Sequence, residues 1–434
     1  MGFSVRCLRD LKENIATGLF SCGFFKHKKM KQDNLFSEID REKITLDLFK
    51  AYFDARKNKR NTINALAFEK HLEANLFALA NDIIERKYIP NQSICFIVNK
   101  PIKREIFAAD FRDRVIHHFI YNYISEVFEK SFINDSYSCR KDKGTHYGIN
   151  RIDGFIRSCS QNYSKDCYIL KLDIKGYFMA MNKPLLYKKI KQELLKNKNK
   201  LNFDLRLVLY LIEKTIFNDP KQNCIIKGKK EDWVGLPKTK SMFYAKANCG
   251  LPIGNLTSQL FGNIYMNEFD HWVKKELGIK YYGRYVDDFV LIHENKDYLQ
   301  SLIPKLKDFL LKNLKLNLHP DKIYLQHYSK GVKFLGTVIL PNRIYIAKRT
   351  KGNFYNAIEK QNLIARDHKP TKEEQQAFLS SMNSYLGIMR HYKTYKLRKR
   401  IIFKNLSVWW WNFFCLTGGI TKFKMKKTLN FFHL

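Results

Sequence analysis

The sequence predicts a protein of the α+β class, in which helices and strands are mixed along the chain. Apolar residues repeat at helical spacing in several long segments, whereas shorter runs of aromatic and β-branched residues, bounded by turns, indicate strands. A chain of 434 residues is long enough to bury a sizeable core and to form two or three domains or subdomains. We find no internal repeat and no low-complexity linker in it.

The first half of the chain contains two of the predicted strands. Residues 1–45 form a basic, weakly patterned extension, predicted to be flexible or to form a peripheral helix. A packing helix follows, with apolar residues at helical spacing until Pro90 ends the pattern: Phe68, Leu72, Leu76, Leu79 and Ile83. The next predicted elements are a strand in "ICFIVNKP", a helix in the later part of "REIFAADFRDRVIHHFIYNYISEVFE" and a buried strand in "CYILKLDIKGYFMAMN" that runs into a turn.

The second half begins with a predicted loop that enters a long helix, "LPIGNLTSQLFGNIYMNEFDHWVKKEL". The segment "GRYVDDFVLI" is predicted to be a half-buried hairpin, and "YLQSLIPKLKDFLLKNLKLNLH" a helix. Two further strands are predicted in "GVKFLGTVIL" and "RIYIAKR". From about Asn353 the tail is predicted to be helical, and it is rich in Lys, Arg and aromatic residues.

The charge of the chain favours a polyanionic partner. There are 78 Lys and Arg residues against 41 Asp and Glu residues, a formal net charge of +37. Such an excess repels itself unless an anion neutralises it, so nucleic acid is the first partner to expect. The alternative is a merely basic or membrane-facing surface.

The cysteines and the hydropathy pattern indicate a soluble, cytoplasmic protein. The nine cysteines are scattered, with no C-x-x-C pair and no Cys/His cluster at zinc spacing, which favours reduced thiols. No segment reaches the roughly 18 uninterrupted apolar residues that a membrane span needs, and the first residues lack the long apolar core of a signal peptide. We therefore expect no membrane partner.

Two adjacent carboxylates, Asp287 and Asp288, interrupt the apolar pattern of "GRYVDDFVLI", although Asp is depleted in strands because it must be desolvated. Asp173, in "KLDIKGYF", ends another apolar strand. Two divalent cations about 3.5–4 Å apart, which clamp the oxygens of a phosphoryl displacement, need carboxylates from rigid neighbouring strands. The pattern therefore predicts a site for two Mg²⁺ ions, with Mn²⁺ as an alternative. For any one of these residues, the alternative is a solvated turn or cap.

"YVDD" and "KLDIKGYF" together resemble the catalytic core of reverse transcriptases, which are right-hand polymerases. The resemblance extends over roughly residues 45–400, and it implies fingers in 46–165 with part of 195–250, a palm with an antiparallel sheet in 166–345, and a helical thumb and tail in 346–434. It implies that Asp173 and Asp287 are the principal metal ligands and that Asp288 is the third carboxylate. The implied substrates and partners are dNTPs, template RNA, cDNA and the RNA/DNA hybrid.

The same resemblance implies roles for residues around the carboxylates. Phe178 lies where the family places the aromatic gate that excludes a ribose 2′-OH; ordinary core packing is its alternative. "KPIKREIFAADFRDRV" and "DSYSCRKDKG" resemble the fingers motifs, in which basic side chains hold the triphosphate. The candidate ligands there are Lys103, Arg104 and Arg140, each of which has a surface charge as its alternative.

Two segments downstream of the carboxylates also resemble family motifs. "HPDKIYLQ" resembles the segment whose lysine, here Lys322, protonates the pyrophosphate leaving group. "KFLG" resembles the primer grip, which places Phe334, Leu335 and Gly336 there.

The segment "GLPIGNLTSQ" departs from the wider family. Ile253 replaces the usual Gln before Gly254, and Gln259 replaces the usual Pro. This departure, like "AYFDARKNKRNT", "REIFAADFRDRVIHH" and "GLPKTKSMF", resembles the reverse transcriptases of diversity-generating retroelements. That branch implies copying of a dedicated template RNA with errors at adenines, usually with a small basic accessory protein. The alternatives are an antiphage-defence reverse transcriptase and a catalytically silent RNA-binding protein on a polymerase scaffold.

Two other groups are predicted to be packing residues. His117 and His118 lie in an aromatic helical stretch. Trp409, Trp410 and Trp411 point in different directions on a helix, which favours core or partner packing over stacking on bases.

Overall fold

The computed structural model describes residues 38–57, 59, 61–99 and 102–426. The chain divides into two units, Met1–Ile44 and Thr45–Leu434. The predicted extension over residues 1–45 lies almost entirely outside the described residues. None of the described helices is long and apolar enough to cross a membrane.

The first part of the described chain contains most of its helices and four strands. The helices are α1 (Glu38–Arg56), α2 (Ile63–Glu69), α3 (Leu72–Ile84), α4 (Phe111–Ser131), α5 (Thr145–Cys159), α6 (Tyr177–Ala180), α7 (Lys183–Lys196) and α8 (Leu205–Phe217). The strands are β1 (Ser93–Val98), β2 (Arg104–Ala108), β3 (Tyr168–Asp173) and β4 (Cys224–Ile226).

The second part contains the remaining strands and five longer helices. The helices are α9 (Leu256–Lys275), α10 (Lys296–Leu314), α11 (Lys348–Asp367), α12 (Lys372–Met389) and α13 (Tyr395–Asn405). The strands are β5 (Tyr281–Tyr285), β6 (Asp288–His293), β7 (Tyr324–His327), β8 (Val332–Phe334), β9 (Thr337–Leu340), β10 (Arg343–Ile346), β11 (Phe414–Thr417) and β12 (Lys422–Met425). This mixture confirms the predicted α+β class.

A four-stranded antiparallel sheet lies at the centre, in the order β5-β6-β3-β7. Strand β6 is buried on both faces, because helices cover the two sides of the sheet. On one side Val290 and Ile292 pack in a cluster with the apolar residues of α5. On the other side Phe289 contacts Phe269 of α9, whose ring in turn packs against Phe309 of α10. Helix α5 therefore packs with the central sheet, although its residues fall within the range 46–165 predicted as fingers.

A smaller sheet, in the order β2-β1-β4, carries the hairpin formed by β1 and β2. The helix predicted upstream of it is two helices, because the chain turns at Lys70 and His71 between α2 and α3. The side-chain amide of Asn75 donates to the carbonyl of Phe68 at 2.9 Å, which satisfies one of the carbonyls left open at the end of α2.

The strand predicted in "GVKFLGTVIL" is a hairpin of β8 and β9, to which β10 adds a third strand. Leu335 and Gly336 form its two-residue loop, and both have a positive φ, +47° and +84°. Positive φ at both central residues matches the right-handed twist of the flanking strands, which explains the sharp reversal. Leucine is an unusual residue for this conformation.

The tail has its own apolar core. Helices α11, α12 and α13 all contribute to one apolar cluster that contains Phe378 of α12, whose ring stacks on Trp410 at 4.2 Å and on Phe414 at 4.8 Å between centroids. The predicted helices are present, but the tail also contains the β11–β12 hairpin, which the helical pattern did not predict. Trp410 is fully buried, which confirms packing for this residue, whereas Trp409 is 46% exposed.

Candidate active site

The three predicted carboxylates lie at one end of the central sheet. Asp173, the last residue of β3, lies directly opposite Asp288, the first residue of β6. Asp287 belongs to the two-residue turn between β5 and β6, and its carbonyl accepts from the amide of Ile174 at 3.3 Å. The other turn residue, Val286, has φ +58°, a strained value for a β-branched side chain. The fold therefore brings together the carboxylates that the sequence predicted as one site.

Two lysines pair with these carboxylates. Lys322 Nζ lies 3.0 Å from Asp173 Oδ2, and Lys171 Nζ lies 3.0 Å from Asp288 Oδ2. Lys322 is one of the predicted site residues, and the structure places it beside the carboxylates. Lys171 was not predicted, although its position two residues before Asp173 on the same strand puts both side chains on one face.

Burial dominates the electrostatics of the site. It raises the pKa of Asp287 to about 6, and the charge of Asp173 adds to that rise, while Lys322 and Arg104 counter part of it. Burial likewise raises the pKa of Asp288 to about 7, against the opposing charge of Lys171. The site thus concentrates negative charge in a place where water shields it poorly, which favours binding of cations.

The donor set fits a hard divalent cation, since it consists of carboxylate oxygens. Asp288 Oδ1 is buried and has no hydrogen-bond partner in the described part of the chain, which leaves one acceptor available. No three acidic, His or Cys side chains of the described residues form a ready-made metal cluster, and two of the carboxylates are paired with lysines. A cation would therefore compete with Lys171 and Lys322 for the carboxylates.

Two residues predicted to contact the nucleotide pack against the same apolar cluster. Phe178, on α6, and Ile253 both lie against the cluster that contains Phe107 and Met179. The carbonyl of Ile253 accepts from the amide of Phe107 at 3.0 Å, so the loop is tied to β2. Both side chains are half-buried, and for Phe178 such packing is the alternative given in the sequence analysis.

Gly254 and Gln259 follow in the same segment. Gly254 has φ +126°, and a Cβ there would lie 2.9 Å from Ile106 Cγ2, so this position requires glycine. Gln259 is exposed on α9. Further along the chain, the three predicted primer-grip residues form the β8–β9 turn, where Phe334 is buried and Leu335 half-buried.

The predicted triphosphate ligands have different surroundings. Arg104 is exposed on β2 and makes no hydrogen bond or ion pair with the described residues, yet its charge reaches Asp287. Lys103 donates to the carbonyl of Val234 at 2.7 Å. Arg104 is therefore the basic side chain that remains open to an anion.

Arg140 requires a correction, because its guanidinium is already occupied. It pairs with Glu129 at 2.7 Å and donates to the carbonyls of Ile133 and Ser136 at 2.6 and 2.9 Å. Its side chain is 5% exposed. Arg140 therefore stabilises the loop after α4 and does not point a free charge into the site.

The remaining packing predictions hold for the residues that the structure describes. His117 is buried, and its Nδ1 lies 2.7 Å from the hydroxyl of Thr257. The cysteines within the described ranges are all free, as expected for reduced thiols.

Carboxylates from neighbouring strands, flanked by basic side chains, are the arrangement that metal-dependent phosphoryl-transfer enzymes use. The chain matches the family of reverse transcriptases (RNA-dependent DNA polymerases) over residues 99–339, which is more than half of its 434 residues. The protein belongs to the reverse transcriptase family. This confirms the predicted enzyme class, an RNA-directed DNA polymerase.

The chain is also similar to individual proteins. It is 23% identical to Protein YkfC of Escherichia coli (strain K12) over 315 residues, which cover 65% of this chain and 75% of that protein. Apo telomerase of Candida tropicalis, truncated from the C-terminal domain, matches with a TM-score of 0.43 and 17% identity, over 59% of this chain and 55% of that chain. Telomerase of Candida albicans, in complex with a fragment of telomeric RNA, matches with a TM-score of 0.41 and 12% identity, over 72% and 57%. This chain thus spans little more than half the length of the telomerase chains.

Proposed function

We propose that this reverse transcriptase belongs to a diversity-generating retroelement and copies a dedicated template RNA into cDNA with errors concentrated at template adenines. The observation that carries the proposal is the segment "GLPIGNLTSQ", in which Ile253 stands where the wider family has Gln. An apolar side chain cannot replace the hydrogen bond that Gln offers to an incoming nucleotide. The proposal includes a small basic accessory protein as a partner.

The proposed architecture is that of a right hand. The central sheet and α5 form the palm, the sheet β2-β1-β4 belongs to the fingers, and residues 346–434 form the thumb and tail. The exposed lysines and arginines, part of the net charge of +37, bind the backbones of the template RNA and of the hybrid.

In the proposed mechanism, Asp173 and Asp287 would hold two Mg²⁺ ions, and the chemistry that such ions supply is the offsetting of negative charge in a phosphoryl displacement. Asp288 contributes the third carboxylate. Arg104 binds the triphosphate through its free guanidinium, and Lys322, beside Asp173, protonates the pyrophosphate as it leaves. Phe178 closes the space that a ribose 2′-OH would need.

Sequencing the nucleic acid that copurifies with the protein tests the biological role. A single RNA species, encoded beside a pair of near-identical DNA repeats that differ at adenines, is the expected result. A copurifying RNA without such a repeat pair would favour the second candidate, an antiphage-defence reverse transcriptase that shares the palm motifs.

A further inference from the structure

Glu105 is a buried acid on β2 that lies outside the group of metal-binding candidates. Its side chain is 1% exposed, and its carboxylate accepts three hydrogen bonds from one segment of the chain. Trp233 Nε1 and Ser241 Oγ donate to Oε2 at 2.7 and 2.8 Å, and the Met242 amide donates to Oε1 at 2.5 Å. Hydrogen bonds to a buried carboxylate are strong, and leaving one unmade is costly. Glu105 therefore fixes this segment to β2.

We call this segment, residues 230–244, the brace. It contains three short 3₁₀ turns, Lys230–Trp233, Lys238–Lys240 and Met242–Tyr244. It makes two more contacts with β2 and its flank: Lys103 Nζ donates to the carbonyl of Val234, and the ring of Phe107 lies 5.6 Å from that of Phe243. The brace thus covers the face of β2 that carries Glu105 and Phe107.

The brace also touches the turn that follows Asp173. Gly176 has φ +59°, and a Cβ at this position would lie 2.6 Å from the carbonyl oxygen of Thr239. Met179 of α6 and Met242 of the brace share one apolar cluster. The brace therefore joins the β1–β2 hairpin to the chain just beyond a catalytic carboxylate.

The opposite face of β2 is directed toward the carboxylate site. Successive side chains of a strand point to opposite faces, so Arg104 and Ile106 share the face that the brace leaves open. Ile106 lies against Gly254, and the charge of Arg104 reaches Asp287. The contacts of Glu105 on one face consequently set the position of Arg104 on the other.

We propose that Glu105 is a positioning residue, which holds β2 through the brace so that Arg104 meets the nucleotide triphosphate in a site assembled before the nucleotide arrives. The inference rests on the proposed role of Arg104 as a triphosphate ligand. It assigns the brace to nucleotide binding rather than to binding of template or primer.

Steady-state kinetics of Glu105→Gln test the inference. Glutamine keeps the size of the side chain but turns one accepting oxygen into a donor, so at least one brace hydrogen bond is lost. We expect KM for dNTP to rise by about tenfold, kcat to change by less than about threefold, and the Kd for template–primer to stay the same. Glu126→Gln, which alters an exposed acid on α4, is the matched control and should leave all three unchanged.

Two milder variants distinguish a loss of positioning from a general folding defect in Glu105→Gln. Trp233→Phe and Ser241→Ala each remove a single donor to Glu105, so each should raise KM for dNTP by a smaller factor. Hydrogen exchange of the Met242 amide reports whether the brace has loosened. A loosened brace with unchanged KM in these variants overturns the positioning role.

A double-mutant cycle with Arg104→Ala shows whether Glu105 acts through Arg104. If it does, Glu105→Gln adds little to the KM of Arg104→Ala, because the group that it positions is already gone. Fully additive effects overturn the inference while leaving Arg104 as a ligand. If Arg104→Ala itself leaves KM unchanged, the triphosphate role of Arg104 fails first, and the inference fails with it.

Discussion

Arg284 and Asp270 form a fully buried, two-point ion pair next to the turn between β5 and β6. Arg284 Nε lies 2.8 Å from Asp270 Oδ1, and Nη2 lies 2.6 Å from Oδ2. The remaining nitrogen, Nη1, donates to the carbonyl of Val286 at 2.8 Å. One guanidinium therefore links α9 to the strained residue that precedes Asp287.

Asp270→Asn should destabilise the protein by about 3–5 kcal/mol, because it leaves the guanidinium of Arg284 buried without its counter-charge. Urea unfolding measures the change. The control is Glu126→Gln, which breaks a solvent-exposed pair with Lys130 and should leave the free energy of unfolding nearly unchanged. A loss of under about 1 kcal/mol in Asp270→Asn would contradict the importance of the buried pair.

Asp287→Asn should reduce DNA synthesis by roughly a thousandfold or more, since metal-assisted charge stabilisation is worth several kcal/mol and each 1.4 kcal/mol is tenfold in rate. Binding of RNA should stay near normal, because it depends on the basic surface. Primer extension and RNA-binding titrations test the two statements, with Asp308→Asn on the exposed face of α10 as control. Primer extension at the wild-type rate would remove Asp287 from the metal site.

The sequence predicted the carboxylates but not their lysine partner on β3, and the reason is physical. Asp173 and Asp287 can be recognised from the sequence because burying a carboxylate within an apolar strand costs desolvation free energy, so its presence there indicates a function. The pairing of Lys171 with Asp288 depends on the register between β3 and β6, which is set by tertiary packing. The hydrogen bonds of Arg140 could not be predicted for a related reason. The carbonyls that it bonds belong to a loop, and no periodic sequence pattern specifies the path of a loop.

Acid should destabilise the protein through His117. Burial lowers the pKa of this histidine from 6.5 to about 3, so between these values the unfolded chain binds a proton that the folded chain does not. The contribution of His117 to stability therefore falls as the pH drops below about 6.5, by up to about 1.4 kcal/mol per pH unit and by about 2 kcal/mol at pH 5. In urea unfolding from pH 7.5 to 5, the wild type should lose about 2 kcal/mol relative to His117→Gln, because the other titrating groups are common to both proteins. His71→Gln, on the surface, should keep the wild-type slope, and equal slopes in all three proteins would refute this origin.

Phe178→Ala should let the enzyme incorporate ribonucleotides more readily, because a smaller side chain leaves room for the 2′-OH. The measured quantity is the ratio of kcat/KM for rNTP to that for dNTP on one template. Phe217→Ala, on the exposed face of α8, is a matched truncation that should leave the ratio unchanged. If Phe178→Ala also leaves it unchanged, Phe178 serves only the packing seen against Met179.

Ile253→Gln should lower the error at template adenine while the enzyme remains active. The side chain of Ile253 is half-buried against the cluster that Phe178 also contacts, and its carbonyl accepts from the Phe107 amide of β2, a main-chain bond that does not involve the side chain. A Gln here restores one hydrogen bond to the nucleotide, worth about 0.5–1.5 kcal/mol net, and such a gain changes discrimination several-fold at about 1.4 kcal/mol per tenfold. Sequencing cDNA made by both forms on one adenine-containing RNA measures the effect.

Ile253→Leu keeps an apolar side chain of equal size and should retain the wild-type error, so a drop in both variants would point to altered packing instead. Equal adenine error in active Ile253→Gln and in the wild type would reject the role of Ile253, because fidelity would then be set by other residues of the site.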